Sequence, residues 1–356
     1  MSLRRSPLHD QHASAGARFG EFGGWEMPLR YSNGSVAEHM QTRESVAIFD
    51  VSHLGIVRVA GATAANSLNA IFTNDLFRIS AGRAQYTLLL NDRGGVIDDI
   101  IVWWAKPDEF WVLPNASNLD AVMNVLLEGC GEESIAAKNG EMALVAVQGP
   151  LWASVLEAAG IPAAARPAHF DVVQSDDMTL AGTGYTGEKG CEILLPSDQA
   201  SDLWERLCAA AEVYGGGPAG LVARDTLRLE MGYPLHGHEM DSTVTPWESD
   251  LAWVVSMKKA EFAGRSALET SRENARWELV GLEMLGREIP RSGCSVTTSN
   301  GGEGVVTSGN MSPLLGHGIA LARVPPGSVR PGDPAEIDIR GKTARAVCVK
   351  PPFIDR

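Results

Sequence analysis

The chain has 356 residues, 44% of them hydrophobic, which is enough for two or three domains with cores of their own and excludes a small disulfide module. Thirty Lys plus Arg against 44 Asp plus Glu leave a formal net charge of −14 with no local basic patch, which counts against a nucleic-acid partner. Five scattered cysteines without a C-x-x-C pair, and no apolar run near the ~18 residues of a membrane span, predict a cytoplasmic protein with reduced thiols and no membrane partner.

The first forty residues mix Gly, Pro and aromatic residues (Phe19, Phe22, Trp25, Tyr31) without a clear period, and read as an irregular segment that packs against something else. A β-rich unit is expected from Ile48. Residues 85–90, a turn at 91–94, then 95–104 and 109–113 read as an antiparallel meander, flanked by helices at 63–72 and 117–127. Residues 141–148 make a buried strand that Gly149-Pro150 stops before a helix at 152–159. Strands at 171–182 and 190–196 and an amphipathic helix at 200–214 complete an α+β core. Past Trp253, short strand candidates at 279–284, 295–298, 304–308, 318–323, 335–339 and 342–350 predict a small β-barrel or sandwich, with a boundary near 255–275.

The most unusual stretch is GGVIDDIIVWW, residues 94–104, where Asp98 and Asp99 interrupt a run that otherwise reads as buried strand. Neighbours in a strand point to opposite faces, so one carboxylate can face solvent while the other faces a cavity or the core. A buried Asp needs donors or cations, or it keeps its proton, and either state makes it a candidate functional acid; a turn-proximal pair bonded to backbone amides is the equal alternative.

GTGYTGEKGCE, residues 182–192, crowds four glycines around Tyr185 and ends in Glu192, a loop that lets a ligand or backbone approach closely. It matches neither the dinucleotide fingerprint nor the phosphate-binding loop. ARDTLRLE, residues 223–230, reads as a helix with Arg224 and Arg228 one turn apart, by default a solvated face. His236 and His238 lack a clear third metal ligand, and His53 is more readily a satisfied structural histidine than an acid-base group. No nucleophile elbow, H-E-x-x-H helix or activated cysteine is present, which weighs against hydrolase and thiol chemistry.

Taken together, SPLHDQH, GGWEMPLRY, FDVSH, GGVIDDIIV, AVQGP, TGYTGEKGCE, ARDTLRLEMG, GHEMD and SGNMSPLLGHGIALARVP occur in an order that resembles the aminomethyltransferase family, the T-protein of the glycine cleavage system, nearly end to end. The resemblance implies an α+β fold of three lobes around a central folate channel, two of them discontinuous and the third a small C-terminal β-barrel. Residues 1–47, 142–167 and 200–255 would form the first lobe, 48–141 and 168–199 the second, and 256–356 the barrel. It further implies that a one-carbon unit passes from a lipoylated H-protein, met transiently, to tetrahydrofolate, with no metal and no flavin.

By motif match the resemblance makes Asp98 the catalytic carboxylate. Glu192 would accept from the pterin's amino and ring N–H groups, and Tyr86, Asn115, Tyr185 and Arg224 would line the folate site, Arg224 as a local cation for an anionic substrate. The chain departs from the family pattern at Tyr233-Pro234-Leu235-His236 and at Leu54, where Met is commoner. Two rivals follow from the same resemblance: another tetrahydrofolate-dependent methyltransferase or demethylase, and a non-enzymatic folate-binding factor for iron-sulfur assembly. The K-G-C-Y-x-G-Q-E signature of the latter is absent here, since Lys189-Gly190-Cys191 runs into Glu192-Ile193-Leu194.

Overall fold

The computed structural model describes residues 2–356. Its packing divides the chain into two compact units: one runs to Thr87 and resumes over Asp98–Arg224, the other takes Leu88–Ile97 and Asp225–Arg356.

In the first unit the N-terminal segment is regular where its composition suggests otherwise. It forms the helix His9–Ser14, strands Arg18–Phe22 and Trp25–Arg30, and the helix Ser35–Glu44. The two strands pair antiparallel across Gly23-Gly24, both at positive φ (56° and 84°), a conformation that Gly adopts without a Cβ penalty. Pro28 disguises the second strand. It is tolerated because it lies past the two residues that pair with Arg4–Arg5, where the strand has one neighbour only.

A six-stranded sheet runs in the order Val172–Ser175, Met178–Ala181, Gly190–Pro196, Met142–Gln148, Ala47–Asp50 and Gly217–Pro218, with only the last pair parallel. Residues 171–182, expected as one strand, are two, joined through Asp176 at φ 50°. Along the inner strands, Ile48, Val145, Val147, Ile193 and Leu195 bury one face against Leu203, Trp204 and Leu207 of the helix Ser197–Val213. Each such side chain stabilises by about 1.5–3 kcal/mol when fully buried. Because the side-chain period is 2, Gln148 and Glu192 project from the opposite face.

The expected lobe division grouped 168–199 with 48–141, but the strands within 168–199 lie in one sheet with Met142–Gln148, to which Gly190–Pro196 pairs directly and on whose apolar face Leu180, Ile193 and Leu195 pack. Most strands of 48–141 form a separate five-stranded sheet. Its order is Arg83–Leu90, Val96–Lys106, Glu109–Leu113, Val57–Ala60, Ile135–Ala137. The predicted meander is therefore present in sequence order, backed by the helices Ala64–Ile71 and Leu119–Cys130.

The second unit contains a closed six-stranded barrel in the order Glu278–Met284, Gly318–Val324, Glu303–Met311, Ser295–Thr298, Pro334–Ile339 and Lys342–Val349. The six strands predicted past residue 275 are these six. Its interior mixes Leu282, Val296, Val306 and Ile337 with the small Ala320, Ala322, Ala335 and Ala346, the alternation of large and small side chains that a narrow barrel needs to fill its core. Arg228, buried in this unit, donates to Ser308 Oγ at 2.8 Å and Glu239 Oε2 at 3.2 Å. That contact replaces the solvated face expected of the helix Leu221–Glu230 at this position. Among the described residues all five cysteines are free, and no helix is long and apolar enough to cross a membrane.

Candidate active site

Strand Val96–Lys106 alternates as the sequence requires, so that Asp98 shares the buried face with Ile100 and Val102 while Asp99 lies half-buried on the other. Asn115, just past the end of strand Glu109–Leu113, holds both carboxylates. Its Nδ2 donates to Asp98 Oδ1 and Asp99 Oδ1, each at 2.8 Å, and its backbone N–H to Asp98 Oδ2 at 2.9 Å. Asn118 Nδ2 adds a third donor to Asp98 at 2.6 Å. Asp99 Oδ2 accepts from the Tyr86 hydroxyl at 3.0 Å.

Three donors favour the ionised form of Asp98, yet burial and then the charge of Asp99 outweigh them and push its pKa up to about 8. Near neutral pH Asp98, the enclosed member, therefore favours its protonated form. The Tyr86 hydroxyl is raised in turn, by burial first and then by the charge of Asp99 and the neighbouring Tyr185.

Glu192 occupies the face of the six-stranded sheet turned away from the helices, with its carboxylate nearly enclosed. Oε2 accepts from Thr183 Oγ1 at 2.5 Å, and Oε1 lies 3.9 Å from Arg224 Nη2. The Arg224 guanidinium sits over the Tyr185 ring, 5.1 Å from its centroid, and its buried Nη1 has no hydrogen-bond partner among the described residues. Burial draws the Arg224 pKa down while Glu192 and Tyr185 hold it up. A buried guanidinium with an unmet donor is a demand for an acceptor.

Close by, His53 is buried with Nδ1 unmet among the described residues and its ring edge-on to Phe22 at 5.2 Å. Burial pushes its pKa down to about 4, against the opposing charge of Asp50 and with that of Arg224. It is a neutral imidazole. In the second unit the two histidines of H-G-H each meet a carbonyl: His236 Nε2 lies 3.2 Å from Val96 O and His238 Nδ1 3.1 Å from Thr307 O. Among the described residues no group of three or more His, Cys, Asp or Glu could hold a metal ion.

Residues 8–259 match the GCVT N-terminal domain family and residues 278–355 the glycine cleavage T-protein C-terminal barrel domain family. The chain belongs to the glycine cleavage T-protein family. An aminomethyltransferase of Mycolicibacterium paratuberculosis is 44% identical over 99% of this chain and 97% of its own length, and one of Frankia alni is 42% identical over 99% and 98%. The crystal structure of the glycine cleavage system aminomethyltransferase T from Bartonella henselae superposes with a TM-score of 0.92 at 34% identity, covering 99% of this chain and 98% of that one.

For this T-protein family member the residues expected from sequence fall into two groups. Asp98, Asp99, Tyr86 and Asn115 form one hydrogen-bonded network, and Tyr185, Glu192 and Arg224 form a second, with Tyr185 near enough to Tyr86 to affect its ionisation. Sequence reasoning missed Asn118 and Thr183, which orient Asp98 and Glu192. A polar residue one helical turn past Asn115 was the available signal for the first; nothing in the pattern marked the second.

Proposed function

We propose that this chain carries the aminomethyl-derived one-carbon unit from a lipoylated H-protein to tetrahydrofolate, releasing ammonia and giving methylenetetrahydrofolate. What carries the reading is the carboxylate pair Asp98–Asp99, half enclosed and half open, in a chain that matches the family over nearly its whole length. The carbon to be moved sits between sulfur and nitrogen, and as ammonia leaves it becomes cationic. A fixed negative charge beside it lowers that barrier.

The resemblance put this role on Asp98 alone. The complete burial of Asp98 supports a proton-holding role for it, with Asp99, bonded to Tyr86, as the half that meets substrate. Asn115 bridges the two, so they act as a unit.

Glu192 accepts from the pterin's amino and ring N–H groups, oriented for it by Thr183. Arg224 lies too close to Glu192 to hold the distant glutamate end of the same folate, so its unmet Nη1 donates to the pterin edge instead. Tyr185, under the guanidinium, and Tyr86 supply aromatic surface. Tetrahydrofolate is acceptor substrate here, H-protein association is transient, and the compartment is the cytoplasm.

The test is ammonia release from aminomethyl-lipoyl H-protein, with and without tetrahydrofolate, alongside calorimetric titration of tetrahydrofolate alone. Folate-dependent ammonia release supports the reading. Folate binding without ammonia release overturns it and points to a methyl donor such as a sulfonium or a methylamine.

A further inference from the structure

The glycines of residues 182–192 invite the idea that a ligand lies against the backbone there, yet the structure fills that space with a side chain. Gln148, buried at the end of strand Met142–Gln148, puts its amide into the segment. Nε2 donates to Thr183 O at 3.2 Å and Cys191 O at 3.4 Å, and Oε1 accepts from Thr186 Oγ1 at 2.8 Å. A Cβ on Gly184 would stand 2.1 Å from Gln148 Oε1, and one on Gly190 2.2 Å from the Val147 carbonyl oxygen and 2.5 Å from Gln148 Nε2, so the chain wraps the amide and its strand closely only because both positions lack a side chain.

From the other side Arg43, whose side chain is fully buried in the helix Ser35–Glu44, donates through Nη1 to Thr186 O at 2.7 Å and Glu188 Oε1 at 2.9 Å. These contacts bracket Tyr185 and end at Thr183, whose hydroxyl in turn holds Glu192. A continuous line of hydrogen bonds thus runs from Gln148 through Thr183 to the Glu192 carboxylate.

We propose that Gln148 and Arg43 are positioning residues for folate: they fix residues 182–192 so that Tyr185 and Glu192 are already in place before the pterin arrives. The inference rests on the reading that these two side chains face folate. A segment with four glycines is costly to order, and ordering it during folding spares that cost at binding. Loss of the clamp therefore weakens folate binding and leaves the chemical step, once folate is bound, nearly unchanged.

The test uses Thr186→Val, which removes the hydroxyl that donates to Gln148 Oε1 and accepts from the Glu188 N–H, together with Arg43→Met and Arg43→Lys, with Glu192→Ala as reference. For Thr186→Val and Arg43→Met, each of which loses two contacts of the segment, we expect the Kd and KM for tetrahydrofolate to rise at least about fivefold, the scale of one lost buried hydrogen bond, with kcat within about twofold. Hydrogen exchange across 183–190 should speed up in the free protein and slow again when folate binds. Arg43→Lys, which keeps a donor for Thr186 O, should recover part of the loss.

A role confined to stability would lower the folded fraction and so the apparent kcat, leaving KM unchanged, and that result overturns the proposal. If Glu192→Ala weakens folate while Thr186→Val and Arg43→Met stay within twofold in Kd and KM, the positioning role fails alone. If Glu192→Ala itself leaves folate affinity unchanged, the folate reading of the site fails and the inference goes with it.

Discussion

Asp50 and Asp98 are both buried aspartates of the same unit, and their acidities move in opposite directions. Asp50 lies on the helix-covered face of its sheet. It accepts from His12 Nε2 at 2.8 Å, from the Ser52 backbone at 2.9 Å and from the Ser6 hydroxyl, and the His12 Nδ1 is in turn 2.9 Å from the Tyr31 hydroxyl. Burial alone would raise its pKa, but these partners bring it below the usual carboxylate value. Asp98 has donors too, yet they are neutral amides, and its nearest charge is another carboxylate. Equal burial thus gives a carboxylate satisfied by its hydrogen-bond partners in one place and a strained acid beside a like charge in the other; the neighbour decides.

The largest effect expected of that difference is on folding. Asp50→Asn leaves His12 without its carboxylate inside the core, and breaking such a buried pair costs about 3–5 kcal/mol. Urea unfolding should show it as a lower midpoint at unchanged slope. Asp98→Asn breaks no such pair and, near neutral pH, replaces a proton-bearing carboxyl with a neutral amide, so it should unfold much closer to wild type. Were the two variants equally destabilised, Asp98 would be one more structural aspartate and the contrast would collapse.

Activity should divide the same pair the other way. A full charge about 4 Å from a developing cation contributes on the order of 4 kcal/mol at an effective dielectric near 20, roughly a thousandfold in rate. Asp99→Asn should lose close to that factor in aminomethyl transfer while binding tetrahydrofolate within a few-fold of wild type. Because Asn115 bridges both carboxylates, Asp98→Asn should also lose much of the rate. Full activity in Asp98→Asn with none in Asp99→Asn would reduce Asp98 to packing, and the reverse would return the substrate-facing role to Asp98 alone.

The sequence made some of this readable and hid the rest for physical reasons. Two adjacent acids in an apolar run announce themselves, because an ionised group in a strand core is costly wherever it occurs. The strands of the barrel were legible from Gly, Pro and Asp punctuation. By contrast, the Asp50–His12 pair joins residues far apart in sequence through a helix that no periodicity marked, and Pro28 masked the hairpin beside it. The glycines at 184 and 190 read as room for a ligand, when Gly184 is room for the Gln148 amide and Gly190 for that amide and the Val147 carbonyl, groups whose partners lie well down the chain. Local patterns expose costs; they do not expose which distant side chain meets them.

A third, smaller effect concerns Glu192, which resembles Asp50 in having a hydroxyl donor and a basic neighbour, but with that neighbour held 3.9 Å away. Glu192→Ala should weaken tetrahydrofolate by at least about tenfold, since a charged hydrogen bond is worth roughly 1.5–3 kcal/mol. Calorimetric titration measures it directly. Unchanged affinity would place the pterin elsewhere.

The smallest effect is the pH dependence of stability, and it separates the two aspartates by sign. Asp50, lowered in the folded state, contributes stability that is fully present above the pKa of an unfolded Asp, about 3.9, and is lost only as pH falls through its folded value. Asp98, raised to about 8, costs nothing below about pH 3.9, where both states are protonated. Above that the unfolded chain gives up the proton that the folded one keeps, so stability declines up to about pH 8. His53, held near 4 against about 6.5 when unfolded, tilts the curve the other way below about pH 6.5. The clean window is therefore about pH 6.5 to 8. There the difference between Asp98→Asn and wild type should grow by up to about 1.4 kcal/mol per pH unit in favour of the variant, whereas Asp50→Asn should run parallel to wild type, lower throughout. Denaturant unfolding at several pH values across that window measures both, and parallel curves for all three proteins would show that Asp98 is already ionised in the folded state and that the pair carries two charges.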